Sequence, residues 1–186
     1  MTSLAVHLQT NAEIAIIPTD TVYGVAARVG DPEAVARLYK LKHRDKKPGT
    51  LIAASIEQLV ALGIKKEQLD VVKKFWPGAV SVIMPVGENL FYIHQGVGSL
   101  AVRIPNDKWL LELLKNTGPL LTSSANQPGE PPATTIDQAR AYFGNQVSWY
   151  EDGGIVNRKP STVIKVMGST IEVIRPGAVT FGEQKS

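Results

Sequence analysis

Hydroxyl side chains and a carboxylate follow the first short apolar segment of the chain. Residues 14–17 are apolar, and after Pro18 residues 19–24 (Thr-Asp-Thr-Val-Tyr-Gly) supply three hydroxyls, one carboxylate and a glycine. Ligands of open α/β sheets bind where strands end, so we expect this segment to hydrogen-bond a small molecule. A hydrogen-bonded turn that begins at Thr19 is the structural alternative.

A run of cations forms a second set of chemically useful residues. Five cations lie within eight residues, opposed by a single carboxylate: Lys40, Lys42, Arg44, Lys46 and Lys47, with Asp45. Lys42 and Arg44 supply positive charge, and an arginine can bind phosphate or carboxylate through two hydrogen bonds. On charge alone, a solvated surface loop remains the alternative.

A third set combines uncharged donors with isolated arginines. Ser124 and Asn126 can donate hydrogen bonds without adding charge, although they could equally cap a helix. Arg103 and Arg175 each follow an apolar strand pattern, and Ser161 follows a proline. The two arginines could instead form weak salt bridges at the rim of the protein. Taken together, these donors and cations suit a nucleoside triphosphate and a carboxylate.

The composition is typical of one globular domain. The chain has 186 residues, of which 44% are hydrophobic and 20% charged, with a net charge of +3. No apolar segment approaches the roughly 20 residues that span a bilayer, and the N-terminus lacks a signal-peptide pattern. We therefore expect a cytoplasmic protein with no membrane partner. The absence of cysteine excludes disulfides and thiolate metal sites.

Common catalytic motifs are missing from the sequence. It has no phosphate-binding loop of the Walker type, and no Gly-x-Ser-x-Gly elbow frames Ser123 or Ser124. The histidines, His7, His43 and His94, do not have zinc-ligand spacing. A hydrolase triad and a zinc site are therefore disfavoured.

Apolar periodicity and turn signals predict one α/β domain with a mixed, twisted sheet flanked by helices. The predicted strands cover residues 13–18, 51–54, 79–86, 100–105, 120–123, 147–150, 161–166 and 170–175. The last two are expected to form a hairpin about Gly168 and Ser169. The predicted helices cover residues 3–11, 66–75 and 107–116, or begin at Asp31, at Ser55 and at Thr134 or Thr135. Residues 180–186 are expected to be a loose tail.

Five segments carry a resemblance to a known family. They are residues 18–24 (Pro-Thr-Asp-Thr-Val-Tyr-Gly), Lys42-x-Arg44, Ser124-x-Asn126, residues 160–163 (Pro-Ser-Thr-Val) and residues 175–177 (Arg-Pro-Gly). In order and spacing the chain resembles the YrdC-like threonylcarbamoyl-AMP synthases from about residue 10 to residue 178. The combination of Lys-x-Arg with Ser-x-Asn is specific, whereas either half alone would be weak. The resemblance is to the short, single-domain bacterial form, with one domain over residues 1–186.

The resemblance implies both a fold and a reaction. The fold would be a single α/β domain whose strongly curved mixed sheet surrounds a large basic concavity. The enzyme would be a nucleotidyltransferase that joins L-threonine, bicarbonate and ATP into threonylcarbamoyl-adenylate and releases pyrophosphate. Other proteins, the downstream transferases, would then pass the threonylcarbamoyl group to the adenosine beside the anticodon of certain tRNAs.

Site roles follow from the resemblance at the matching positions. The residues implied for threonine binding are Thr21, Arg103, Thr122 and Ser161. Those implied for ATP binding are Lys42, Arg44, Ser99, Ser124, Asn126 and Arg175. Those implied for catalysis are Lys42, Arg44, Ser124 and Asn126. Magnesium is expected to accompany ATP, and no side-chain ligand for it is identified.

Two other functions remain open at this point. An RNA-binding module could take tRNA or double-stranded RNA on the same basic surface without catalysis. Such binders often stack bases on aromatic rings, whereas aromatic residues make up only 6% of this chain. A divergent relative could instead have kept the fold and lost synthesis, although the intact Ser124-x-Asn126 pattern argues against this. The sequence leaves open whether tRNA binds this chain directly.

Overall fold

The computed structural model describes residues 3–168 and 170–181, and these contain a nine-stranded mixed sheet. The strands are β1 (Ile14–Ile17), β2 (Gly24–Arg28), β3 (Thr50–Ile52), β4 (Val80–Pro85), β5 (Ser99–Arg103), β6 (Leu120–Ser124), β7 (Trp149–Tyr150), β8 (Thr162–Met167) and β9 (Thr170–Arg175). Their spatial order is β7-β1-β2-β6-β3-β5-β4-β8-β9. Five pairings are antiparallel, and three (β1 with β7, β3 with β5, β4 with β8) are parallel. The predicted α/β fold with a mixed sheet is confirmed.

The helices begin where the sequence supplies caps. They are α1 (Ser3–Gln9), α2 (Pro32–Leu41), α3 (Ile56–Ala61), α4 (Lys66–Val72), α5 (Phe91–His94), α6 (Lys108–Thr117) and α7 (Ile136–Phe143). The Asp31 carboxylate accepts hydrogen bonds from the first amides of α2, and Pro32 occupies the first turn. Ser55 and Thr135 cap α3 and α7 through their hydroxyls. The helix starts predicted at these residues are therefore confirmed. No helix in the described part of the chain is long and apolar enough to cross a membrane.

The two faces of the sheet are covered differently. On one face, large apolar side chains form the main core with residues of α2, α3, α4, α5 and α7. On the other face, a smaller core packs leucines of α1 and α6 against Ala26, Ile52 and Leu120. Side chains two positions apart on a strand share a face, so this second face continues into Gly24, Thr50 and Thr122. These residues are small, and they leave room above the sheet.

A strand and a helical segment were not predicted from the sequence. Strand β2 has the sequence Gly-Val-Ala-Ala-Arg, and its alanines and glycine have low intrinsic strand preference. It is a strand because it pairs with β1 over residues 24–27 and with β6 over residues 24–28. The helical segment over residues 88–94, which includes α5, is also absent from the sequence-based prediction. In both cases tertiary packing, and not local propensity, decides the conformation.

The C-terminal end of the described chain packs against the domain. The Phe181 ring lies edge-on to the Phe75 ring, with 5.7 Å between centroids. The Val179 amide donates a hydrogen bond to the Thr162 hydroxyl at 2.9 Å. The segment as far as Phe181 is therefore anchored, and the rest of the predicted loose tail, residues 182–186, lies outside the described residues. Ser169 of the predicted hairpin turn lies outside them as well.

Candidate active site

A cavity of about 430 Å³ lies over the small residues of the second sheet face. Strand register brings its floor together, since Thr50 lies opposite both Ala101 and Thr122, and Gly24 lies opposite Ser124. Eight of the predicted site residues line the cavity: Thr21, Arg44, Ser99, Arg103, Thr122, Ser124, Ser161 and Arg175. The expectation that the site lies at strand ends needs correction. Ser99 begins β5 and Arg103 ends it, so the cavity extends along the face of the sheet.

Lys42 and Asn126 are not among the described residues that line the cavity. The buried Lys42 ammonium donates hydrogen bonds to the Asn126 backbone carbonyl and, at 2.9 Å, to Asn126 Oδ1. The Ser124 hydroxyl, which does reach the cavity, donates to the same Oδ1 at 2.7 Å. The three residues therefore form one connected network. The alternative of a helix cap is wrong, because Ser124 ends β6 and the next helix begins at Ile136.

Three cations crowd one side of this site. Burial, and secondarily the positive charge of Arg44, lowers the pKa of Lys42 to about 8. Burial also lowers the pKa of Arg44, and burial together with Arg44 lowers the pKa of Arg175. Among the described residues, no carboxylate lies within 4.0 Å of the charged groups of these three cations. We call Lys42, Arg44 and Arg175 the basic cluster; its mutual repulsion would be relieved by a polyanion.

The backbone fixes Arg44 and the loop that follows it. Arg44 Nη1 donates to the carbonyls of Lys47 at 3.2 Å and Pro48 at 3.1 Å, so the side chain folds the loop towards the cavity. At the end of the loop, a Cβ on Gly49 would lie 2.6 Å from the Thr122 carbonyl oxygen. Only glycine allows the chain to pass this close to the cavity floor.

Arg175 ends the edge strand β9 and is held beside the cavity by Ser161. Its Nη2 donates to the Ser161 carbonyl at 2.9 Å, and the Ser161 and Ser81 hydroxyls are hydrogen-bonded to each other at 2.9 Å. The chain then turns back onto the site, because a Cβ on Gly177 would lie 2.6 Å from the Ser161 carbonyl carbon. The turn therefore requires a glycine at position 177, and Arg175, two residues earlier, places its guanidinium at the cavity.

The third arginine of the site, Arg103, is paired with a carboxylate. Its Nη1 lies 2.5 Å from Asp20 Oδ1, and the two side chains are only 4% and 6% exposed. Asp20 Oδ2 also accepts a hydrogen bond from the Asn106 amide at 3.1 Å. The alternative of a weak rim salt bridge is wrong for Arg103, because this pair is buried. The Arg103 Nε donor is buried and has no hydrogen-bond partner among the described residues.

The threonines beside Asp20 form both a turn and a possible acceptor for a ligand. Thr19 Oγ1 accepts from the amides of Thr21 at 3.1 Å and Val22 at 3.2 Å, so the predicted hydrogen-bonded turn is present. The Thr19 hydroxyl proton goes to the Val22 carbonyl at 2.7 Å, which makes Thr21 the donor in the 3.0 Å contact between the two hydroxyls. The Thr21 oxygen then keeps lone pairs that can accept from a ligand.

Several residues that shape the cavity were not assigned a role from the sequence. Gly24, Thr50 and Ala101 form much of the floor, and their signal is the alternation of small residues with apolar ones along three strands. Ser123 also lines the cavity, and its buried hydroxyl has no partner among the described residues. Local sequence could not assign it because its neighbour Ser124 has the same side chain.

The donor set does not fit a metal held by the protein. No group of three or more side chains with metal-binding chemistry occurs within the described residues. The part of the cavity wall that they form contains hydroxyls and arginines but no carboxylate. Magnesium prefers carboxylate, phosphate and water oxygens, so these residues give no support for a protein-held magnesium site.

Comparisons with known proteins agree with the motifs. A family model named for Sua5, YciO and YrdC, and described as "Telomere recombination", matches residues 8–177. A curated protein of Mycobacterium tuberculosis is 35% identical over 90% of this chain and 80% of its own length. The threonylcarbamoyl-AMP synthase of Vibrio campbellii is 34% identical over 91% of this chain and 95% of its own length.

A solved structure shares the fold over nearly the whole chain. The crystal structure of P. abyssi Sua5 complexed with L-threonine has a TM-score of 0.83 and 31% identity, covering 94% of this chain and 53% of that one. This chain therefore spans about half the length of that protein. Because the family model covers most of the chain and the curated relatives match it along most of their length, the chain belongs to the family of Sua5, YciO and YrdC, the YrdC-like threonylcarbamoyl-AMP synthases.

Proposed function

We propose that the protein is a threonylcarbamoyl-AMP synthase that uses L-threonine, bicarbonate and ATP. The observation that carries this proposal is the distribution of charge around one cavity. The basic cluster has no carboxylate partner among the described residues, whereas Arg103 has a buried one in Asp20. A cluster of unpaired cations suits the triphosphate, and a neutral ion pair with a spare donor suits the carboxylate of an amino acid.

The chemistry needs positioning and charge, not a side-chain nucleophile. The threonine amine and bicarbonate condense to a carbamate and water. A carbamate oxygen then bonds to the α-phosphorus of ATP, the bond from that phosphorus to the β-phosphate oxygen breaks, and pyrophosphate leaves. Transfers at phosphorus rely mainly on alignment and on neutralising charge. This agrees with a chain that contains no cysteine and no hydrolase triad.

Each group of residues has a role in this proposal. Arg44 and Arg175 contact the phosphates, and Lys42 adds its charge through the Ser124–Asn126 network. Ser99 and Ser124 complete the nucleotide side. The Arg103 guanidinium binds the threonine carboxylate, and the hydroxyls of Thr21, Thr122 and Ser161 complete that side. Magnesium enters as part of the Mg·ATP substrate, held by phosphate and water oxygens.

The proposal also predicts which kind of protein consumes the product. Threonylcarbamoyl-adenylate is a reactive mixed anhydride, so a downstream transferase protein must consume it to modify the adenosine beside the anticodon of tRNA. The protein would then work in the cytoplasm, where its substrates and tRNA occur. Direct binding of tRNA or double-stranded RNA to this chain remains a prediction, which titration of labelled RNA against the purified protein would test.

A defined assay tests the proposed activity. Purified protein is mixed with Mg·ATP, bicarbonate and L-threonine, and pyrophosphate release is measured together with the mass of the adenylate product. We expect release to require both threonine and bicarbonate. Release that continues when threonine is omitted would assign the protein to another ATP-using reaction.

A further inference from the structure

The proposed mechanism gives the Asp20 carboxylate no role beyond neutralising Arg103. We propose that Asp20 is a specificity-determining positioning residue, which reserves Arg103 for a zwitterionic amino acid and excludes polyphosphate from that part of the cavity. This inference rests on the proposed function, because it names the residue that keeps the two substrates of that function apart.

Hydrogen bonds hold Asp20 in a fixed position beside Arg103. Its Oδ1 lies 2.5 Å from Arg103 Nη1, its Oδ2 accepts from the Asn106 amide at 3.1 Å, and its backbone carbonyl accepts from Arg158 Nη1 at 3.3 Å. Both carboxylate oxygens and the backbone carbonyl of Asp20 accept hydrogen bonds. The Asp20 side chain is therefore fixed beside Arg103 and does not occupy the ligand position. Arg103 is therefore oriented through Nη1, while its Nη2 has no hydrogen-bond partner among the described residues and remains available where the side chain lines the cavity.

The net charge around Arg103 decides which ligands it can bind. A buried guanidinium without a counter-ion would attract any anion, and ATP carries several negative charges in the same cavity. With Asp20 beside it, the subsite is neutral overall, and a polyanion at Arg103 would be repelled by the buried Asp20 carboxylate, whose Oδ1 lies 2.5 Å from Arg103 Nη1. A zwitterion brings no net charge and can still bind its carboxylate to the Arg103 guanidinium.

The position of Asp20 determines which arginine of the cavity binds the triphosphate. Arg44 and Arg103 line the same cavity, so the triphosphate could in principle bind to either arginine. The basic cluster has no carboxylate within 4.0 Å in the described part of the chain, but Arg103 does. Asp20 therefore directs the phosphates towards the basic cluster by making the alternative site unfavourable.

Isothermal titration calorimetry with L-threonine and inorganic tripolyphosphate tests the proposal on the full chain, without requiring turnover. In the wild-type protein we expect saturating tripolyphosphate to leave threonine affinity undiminished. In Asp20→Asn, which keeps the side-chain shape and removes the charge, tripolyphosphate should weaken threonine binding by about tenfold, because the two ligands now compete for Arg103. The matched control is Asp137→Asn, since Asp137 is an exposed carboxylate in the first turn of α7 and its loss changes the net charge equally.

Several results of this experiment would contradict the proposal. Competition between tripolyphosphate and threonine in the wild-type protein would overturn the proposal, and that measurement needs no variant to fold. Asp20→Asn protein without competition, or Asp137→Asn protein with equal competition, would overturn it as well. In turnover, Asp20→Asn should raise the KM for threonine far more than it lowers kcat, and Asp20→Glu should recover part of the change. Failure of the proposed function would look different, because threonine would bind without producing pyrophosphate.

Discussion

The basic cluster and the Asp20–Arg103 pair are two arrangements of positive charge around one cavity. In the basic cluster, burial and then the charge of Arg44 lower the pKa of both Lys42 and Arg175, and none of the three cations has a carboxylate within 4.0 Å among the described residues. In the pair, one buried arginine lies 2.5 Å from one buried carboxylate. The first arrangement leaves charge to be neutralised by a ligand, and the second neutralises it within the protein.

This difference shows that ligand binding and folding stability depend on different charged residues of the site. Unpaired cations cost the folded protein free energy, which a polyanionic ligand can recover when it binds. A buried ion pair is costly mainly when one partner is removed, because the remaining charge then lies unpaired in a dry environment. Substitutions in the basic cluster should therefore affect activity most, whereas substitutions in the pair should affect folding as well.

The largest effect is expected for the stability of Arg103→Ala. Removing the arginine leaves the Asp20 carboxylate buried and unpaired, and breaking such a pair costs about 3–5 kcal/mol. Urea unfolding followed by circular dichroism measures the loss. In the double variant Arg103→Met with Asp20→Asn, much of the stability should return, because neither charge remains. Arg44→Ala is the contrasting control, since no carboxylate loses its partner; equal destabilisation by both alanine variants would remove the distinction between the two regions.

The next effect concerns catalysis in the basic cluster. We expect Arg44→Ala and Arg175→Ala each to lower pyrophosphate release by roughly 10²-fold or more, the scale for losing a donor that stabilises transition-state charge. The same loss is expected for Lys42→Ala. Lys40→Ala is the matched control, because Lys40 is an exposed cation at the end of α2 and is not among the described residues that line the cavity. Near-normal synthesis by both arginine variants would contradict the role given to the cluster.

Much of the site could be predicted from the sequence because polar residues interrupt apolar strand patterns. Arg103, Ser124 and Arg175 each end a strand, and all three line the cavity. The position of Lys42 could not be predicted in the same way. Its burial depends on a contact with Asn126, which lies 84 residues further along the chain. Sequence spacing indicated which residues assemble, but not which of them line the cavity.

The floor of the cavity shows a second limit of sequence reasoning. Strand β2 was missed because Ala26 and Ala27 carry little strand signal, yet this strand lies between β1 and β6 and brings Gly24 to the cavity. The pairing of Asp20 with Arg103 was also missed, since it joins residues 83 positions apart. Small residues and buried ion pairs acquire their meaning from neighbours in space, which local patterns do not contain.

A single substitution can make the basic cluster resemble the pair. Asn126→Asp would place a carboxylate at the position of the Asn126 amide, whose Oδ1 now accepts from Lys42 at 2.9 Å. The new charge would neutralise one cation, and we expect ATP affinity to fall by about tenfold with threonine affinity nearly unchanged. Calorimetric titration of each ligand measures both effects. Asn145→Asp, at an exposed position, is the control for the added charge; an equal loss there would show a general charge effect.

The smallest effect is expected from pH, and it arises from Lys42 alone. Burial and Arg44 lower its pKa to about 8, so the ammonium of the ligand-free protein loses its proton as pH rises past that value. ATP affinity should therefore fall by about fourfold between pH 7 and pH 8.5, as expected for one proton with that pKa that must be present in the complex.

Lys42→Arg separates this effect from other titrations, because an arginine stays charged in this range and the pH dependence should disappear. The free energy of unfolding should move in the opposite direction. An unfolded lysine keeps its proton up to about pH 10.4. Between that pH and about pH 8 the unfolded chain thus binds more protons than the folded one, and stability should rise with pH. If affinity and stability fell together in the wild-type protein, the loss would reflect general unfolding and not the deprotonation of Lys42.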